Sequence, residues 1–180
     1  MTLNITYFVH GTTTDNEQDI ATGWNHGILS EVGIKQSEEL GKLMKSKKFD
    51  VVFCSDLQRA IDSAEISFGK RFLIIKDKRL READYGDFNG KRCRLFKKDL
   101  TIYINNKFPN GESYKDVEKR MNDFLGFVKR KYNGKKIAIV SHQAPQLALE
   151  VLLKKKIWKQ AIAEDWRLKK AWKPGFDYKL

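Results

Sequence analysis

Two histidines, an arginine and a glutamate stand out in the chain, because each sits just past an apolar run or in a polar turn. His10 follows Ile5-Thr6-Tyr7-Phe8-Val9 and precedes Gly11. Arg59 lies in Ser55-Asp56-Leu57-Gln58-Arg59-Ala60, after Val51-Val52-Phe53-Cys54. Glu82 lies in Leu80-Arg81-Glu82-Ala83-Asp84-Tyr85-Gly86, and His142 in Ser141-His142-Gln143, after Ile137-Ala138-Ile139-Val140. Taken singly, each is an ordinary hydrogen-bonded or solvated side chain. Taken together, they lack the nucleophilic Ser or Cys that a triad needs. Cys54 and Ser55 end an apolar run without a nucleophile-elbow pattern. The set suits a phosphoryl group. Arginine binds phosphate oxygens bidentately. Imidazole titrates near pH 6.5 and is a nucleophile when neutral. A carboxyl group can protonate a departing alcohol, and helix starts after Ser55 and Gln143 add backbone donors.

For these side chains to meet, the runs before them must be strands of one sheet. Residues 3–9, β-branched and aromatic, predict a buried strand, and 50–54, 72–75 and 136–140 predict three more. Phe176 to Leu180 reads as an edge strand. A helix is predicted from Ser30, its N-cap, to about Ser46, with Ile34, Leu40, Leu43 and Met44 on one side. Gly33 and Gly41 count against it. Ser55-Asp56 caps a second helix to about Ser67, with Leu57, Ile61, Ala64 and Ile66 apolar. Ser113 caps a third to about Tyr132, burying Val117, Met121, Phe124, Leu125 and Val128. A fourth runs from Pro145 through Leu153. Residues 91–107 read as helical, and residues 10–29 as a long connection of the kind that carries function. Strands alternating with helices predict an α/β fold of three layers: a mostly parallel central sheet with helices on both faces. In such a sheet all carboxyl ends share one rim, where ligands bind, so His10, Arg59 and His142 belong together. With no repeats or linkers, residues 1–180 read as one domain.

Composition narrows the partners. The chain is 41% hydrophobic, with a net charge of +12 and a pI near 9.6. No apolar run approaches the roughly 20 residues of a membrane span, and no signal-peptide pattern opens the chain, so the expectation is a cytoplasmic protein away from membranes. Residues 129–180 hold 14 Lys/Arg against four Asp/Glu. Such a segment could hold nucleic acid. Its aromatics, Trp158, Trp166, Trp172, Phe176 and Tyr178, make no RNA-recognition or OB-type motif, so an anionic small molecule is the expected partner. Cys54 and Cys93 form neither a disulfide framework nor a zinc site and read as packing residues, although Cys93 lies between Arg92 and Arg94. His26, in the long connection, has no ligand spacing and reads as solvated.

The motifs together resemble the histidine phosphatase superfamily (phosphoglycerate mutase-like) over Ile5 to about Leu152. His10-Gly11, with Thr13 and Asn16 after it, resembles the family's first motif. Gly23-Trp24 and Leu29 to Gln36 are similar to its loop and first helix. Ser55-Asp56-Leu57-Gln58-Arg59-Ala60 looks like its Ser-x-Leu-x-Arg-Ala. Leu80-Arg81-Glu82 with Gly86 and Gly90 resembles its general-acid loop, Gly111-Glu112-Ser113 its Gly-Glu-Ser helix start, and Val140-Ser141-His142 its second histidine motif.

The resemblance implies catalysis by His10, Arg59, Glu82 and His142. His10 would become a phosphohistidine, Arg59 and His142 would hold phosphate oxygens, and Glu82 would serve the leaving group and then water. Gly11, Thr13, Asn16 and Gln143 are expected to bind phosphate, with no metal and no cofactor. The family's arginine before the nucleophile is Val9 here. Another cation is therefore expected to substitute, from Arg81, Arg92, Arg94 or a lysine of the basic C-terminal third, or else the chain is a weakened, phosphoester-binding relative. The short chain leaves little room for mutase-type insertions, which favours a phosphatase over a phosphoglycerate mutase-type phosphotransferase. The basic segment 91–108, Lys91 to Phe108, is expected to form part of a lid suited to an anionic substrate.

Overall fold

The computed structural model describes residues 2–169 and 175–180; Lys170, Trp172 and Lys173 of the basic C-terminal third lie outside the described residues. Among the described residues five strands form one sheet: β1 (Asn4–Val9), β2 (Val51–Cys54), β3 (Ile74–Lys76), β4 (Lys136–Ser141) and β5 (Phe176–Lys179), in the order β3-β2-β4-β1-β5. All neighbours run parallel except β5, which lies antiparallel on β1 at the edge.

The period of two along each strand sorts side chains between two cores. Ile5, Tyr7, Val51, Phe53, Ile137 and Ile139 face one way, onto α4 (Tyr114–Lys131) and α5 (Gln143–Lys154). Phe8, Val52, Cys54, Ala138 and Val140 face the other way, onto α2 (Glu31–Leu43) and α3 (Gln58–Phe68). The expected three layers follow. Among the described residues a short α1 (Thr14–Glu17) and α6 (Trp158–Ala163) complete the α-helices. Among the described residues no helix is long and apolar enough to cross a membrane.

Helix α4 buries the expected stripe, and Ser113 caps it with Asp116 in a reciprocal capping box. Helix α2 departs from expectation. Of Ile34, Leu40, Leu43 and Met44 only Leu40 is buried; Ile34 and Leu43 are exposed, and the buried face is Gly33, Ser37 and Leu40. The reason is close approach to the turn after β1. A Cβ on Gly33 would lie 2.0 Å from the Thr12 carbonyl oxygen, and one on Gly11 would lie 2.4 Å from that of Gly33. Gly33, which weakens helix propensity, is what lets α2 reach this turn, while Gly41 lies against Ser67 of α3. In α3 the N-cap is Leu57, without a side-chain cap bond; Ser55 Oγ instead accepts from Leu57 N–H. Ile66 is exposed there, and Phe68 takes the buried place.

Residues 91–107 are not a helix. Two 3-10 turns, Cys93–Leu95 and Leu100–Tyr103, alternate with irregular chain. Phe96, Tyr103 and Phe108 pack around Tyr85 and one another, with Tyr103 stacked on Phe108 at 3.9 Å. That aromatic nucleus fixes the segment without helical spacing. Both cysteines are buried, and burial raises the pKa of each thiol, to about 12 for Cys54.

The register brings the chemistry to one rim. Val9 pairs with Ser141 and Cys54 with Val140. His10 N–H then donates to Ser141 O and Ser55 N–H to Val140 O, extending the ladder one residue past the strands. His10, Ser55 and His142 therefore leave the sheet side by side.

Candidate active site

His10 stands at the mouth of β1. Its Nδ1 lies 2.7 Å from its neighbour's carbonyl, Gly11 O. A carbonyl only accepts, so Nδ1 carries the proton and Nε2 the lone pair. Arg59 Nε–H, 3.4 Å away, points at that Nε2, as a donor should. Burial first, and the Arg59 charge second, pull the His10 pKa down to about 3, with Arg167 adding to the effect. The ring is thus neutral, a lone-pair donor, throughout the physiological range. The turn beneath it is tightly tied: Gly11 N–H donates to Ser63 Oγ, and Thr12 N–H and Oγ–H both donate to Gln36 Oε1.

Arg59 enters from the first turn of α3 and is 2% exposed. Its Nη1 and Nη2 donate to Asn25 O and Gly23 O, in the long connection after β1. Burial works against its charge, and Glu82 works in its favour. His142 is fully buried, with its ring centroid 5.0 Å from that of His10. Its backbone is held by Tyr7, whose hydroxyl donates to His142 O and accepts from His142 N–H. Both of its ring nitrogens lack a hydrogen-bond partner among the described residues. Burial and the Arg59 charge keep this ring neutral as well.

Glu82 reaches the same place from the loop after β3. Its carboxylate accepts from Ala83 N–H, Gln143 N–H and Ala144 N–H, the last two being the opening amides of α5. The loop is pinned from behind by Arg120, on α4. The Arg120 guanidinium donates to the carbonyls of Arg79, Arg81 and Glu82 and pairs bidentately with Glu112. Trp24 Nε1–H also donates to Glu82 O.

His10, Arg59 and Glu82 line a cavity of about 290 Å³ together with Asn16, Gln143 and Arg167; His142 lies behind the wall, against His10, and is not part of the lining. The cavity's other walls include Val9, Thr12, Tyr85 and Lys97. The remaining residues expected to bind phosphate divide. Asn16 and Gln143 line the cavity. Thr13 is fully buried and caps α1, exchanging bonds with Asn16, and the Gly11 amide is engaged by Ser63. Of the cations expected to stand in beside Val9, Arg81 is paired bidentately with Asp56, Arg92 donates to Gln18 O, and Arg94 is exposed. None of these three is in the lining; Lys97 and Arg167 are. His26 is exposed, as expected.

A family model described as the histidine phosphatase superfamily (branch 1) matches residues 7–168. The chain belongs to this superfamily. It is 32% identical over 153 residues to a phosphoglycerate mutase of Schizosaccharomyces pombe, covering 74% of this chain and 71% of that protein. It is 33% identical over 141 residues to PhoE, an uncharacterized phosphatase of Bacillus subtilis, covering 78% and 72%. Among solved structures, Bacillus stearothermophilus YhfR superposes with a TM-score of 0.78 at 25% identity, covering 88% of this chain and 83% of that one.

In this histidine phosphatase superfamily member, several residues of the site escaped the sequence reading. Arg120 had one signal: it sits between Val117 and Met121, at the border of an apolar stripe, where a charge needs a partner. Tyr7 reads as a plain strand aromatic. Asp165 and Arg167 read in sequence only as part of a basic segment.

Proposed function

We propose that the chain is a phosphomonoester hydrolase that acts through a phosphohistidine at His10, on a small anionic phosphorylated substrate, without a metal ion. The observation that carries this reading, among the described residues, is a neutral His10 in the wall of a cavity, its Nε2 engaged only by a long 3.4 Å contact from the buried Arg59, with a glutamate in the same wall and a second histidine with two unpartnered ring nitrogens beside it. A buried polar atom left unpaired costs about 1–3 kcal/mol, and a phosphate oxygen would accept from the one N–H that a neutral His142 ring carries. Membership of a superfamily whose relatives here are a mutase and a phosphatase supports phosphoryl transfer in general.

In the proposed reaction His10 Nε2 attacks phosphorus in line, the N–P bond forms and the P–O bond to the leaving group breaks. Glu82 passes its proton to the departing oxygen. Water then attacks phosphorus with Glu82 taking its proton, the N–P bond breaks, and orthophosphate leaves. Arg59 and His142 hold the equatorial oxygens through both steps, and Asn16 and Gln143 contact them from the cavity wall. Gly11 and Thr13 serve by holding the turn. Histidine is itself the nucleophile, so the route needs no metal-bound hydroxide.

The test is turnover of p-nitrophenyl phosphate in the presence of EDTA. The wild type is expected to hydrolyse it and His10→Ala is not. Equal rates for the two proteins refute the reading. Orthovanadate binding without turnover identifies a phosphoester-binding protein instead.

A further inference from the structure

We propose that Arg167 is the second phosphate-binding cation of this site, reaching it through space that the short side chain of Val9 leaves open. The inference rests on the reading of His10 as the phosphoryl acceptor. A phosphomonoester carries close to two negative charges at neutral pH. Arg59, the deeply buried cation beside His10, spends Nη1 and Nη2 on the carbonyls of Asn25 and Gly23, leaving Nε for the reacting centre. One such contact does not match a dianion that must be held by several oxygens while charge moves.

Arg167 is positioned to supply what is missing. It lies in the 3-10 turn Trp166–Lys169 and lines the cavity together with Val9, His10 and Gln143. Its Nη1 donates to Asp165 Oδ1 at 2.8 Å and to Gln146 Oε1 at 3.4 Å. Its Nη2 is buried and has no hydrogen-bond partner among the described residues. An unmade bond on a buried charged donor is costly, and a phosphate oxygen is the acceptor that fits it. Its charge also contributes to keeping both His10 and His142 unprotonated, as expected of a cation close to both rings.

Asp165 sets the aim. This residue is buried; one oxygen takes Arg167, and the other accepts from the Gln143 side chain. Gln143 opens α5, and its backbone amide holds Glu82. Arg167 is therefore indexed, through Asp165, to the same helix start that fixes the glutamate. Val9 completes the case. It also lines the cavity, and a long cation there would compete with Arg167 for the same anion. In this arrangement valine at position 9 and arginine at position 167 belong together.

The experiment uses the full chain as wild type, His10→Ala, Arg167→Ala, Arg167→Gln, Val9→Arg and the Val9→Arg/Arg167→Ala double variant. It measures kcat/KM for p-nitrophenyl phosphate and inhibition by inorganic phosphate. By analogy with loss of one oxyanion-hole donor, Arg167→Ala is expected to lower kcat/KM about 10²- to 10³-fold and to weaken phosphate inhibition. Arg167→Gln, which keeps a donor for Asp165 and so the local fold, is expected to be similarly impaired. Val9→Arg alone is expected to bring no gain, while in the Arg167→Ala background it restores activity at least about tenfold, the size of one relocated charge-assisted contact. Arg167→Ala or Arg167→Gln at wild-type activity, with His10→Ala inactive, overturns the proposal and leaves the His10 reading intact. So does failure of Val9→Arg to rescue. Full activity of His10→Ala overturns the reading beneath it, and the proposal with it.

Discussion

Replacing Arg120 by alanine should damage both stability and chemistry, because this side chain joins α4 to the Glu82 loop. Its guanidinium makes five hydrogen bonds of 2.7–2.9 Å, three to the carbonyls of Arg79, Arg81 and Glu82 and two to Glu112. The pair is largely shielded, with side chains 14% and 18% exposed. Removing one partner of a buried pair costs about 3–5 kcal/mol, since the other charge is left uncompensated. Some water can reach this site, so the lower half of that range is expected in urea unfolding. The kinetic effect should depend on the substrate. If Arg120 works by holding the acid that protonates the leaving oxygen, alkyl phosphates, whose alkoxides leave poorly, should lose about tenfold more in kcat than p-nitrophenyl phosphate, a part of the roughly 10²- to 10⁴-fold that general acid catalysis typically contributes. Glu82→Gln should show the same bias. A loss under about 1 kcal/mol would refute the account of the anchor, and equal losses for aryl and alkyl substrates would refute the link to the acid.

Other outcomes follow from individual contacts. Tyr7→Phe removes the hydroxyl that serves both His142 O and His142 N–H, so stability should fall by about 1–3 kcal/mol, the cost of buried backbone groups left unpaired; a neutral result in chemical denaturation counts against that bridge. Gly11→Ala places a methyl 2.4 Å from the Gly33 carbonyl, so backbone must move; the melting temperature and p-nitrophenyl phosphate turnover should both drop, and retention of both would show that the contact yields freely. Stability should also fall with acid. The His10 pKa is lowered to about 3 in the folded chain against 6.5 when free, so the unfolded chain takes up the proton first. The contribution is complete above pH 6.5 and fades toward pH 3, amounting to up to about 2 kcal/mol between pH 7 and pH 5. His10→Gln should flatten that part of the urea-midpoint profile, and an unchanged slope would sink the argument.

The sequence was most readable where burial is simple. Strands flanked by turn residues and the apolar stripe of α4 follow directly from periodicity, as does the meeting of His10, Arg59 and His142 at the ends of parallel strands. Reading failed where packing overrides pattern. Ile34 and Leu43 of α2 face solvent because a close turn demands small residues at the contact, and residues 91–107 follow an aromatic nucleus instead of a helical repeat. Hydrogen-bond networks over long sequence separations were invisible for a different reason. Arg120 with the Glu82 loop, and Asp165 with Gln143 and Arg167, connect residues whose partners only the folded chain brings near.

The strand order carries a consequence for how the chain is made. Among the described residues β1 has neighbours only in β4 and β5, both from the last third of the sequence. During synthesis at roughly 5–20 residues per second, Asn4–Val9 therefore waits on the order of ten seconds before Lys136–Ser141 exists to receive it. Throughout that interval an apolar strand with both edges open is exposed, and the nascent chain depends on staying unpaired with other copies of itself. The pairings of β4 with β1 and with β2 join residues far apart in sequence, the kind of contact that forms slowly. His10, just past the end of β1, gains its backbone partner Ser141 only once β4 has formed.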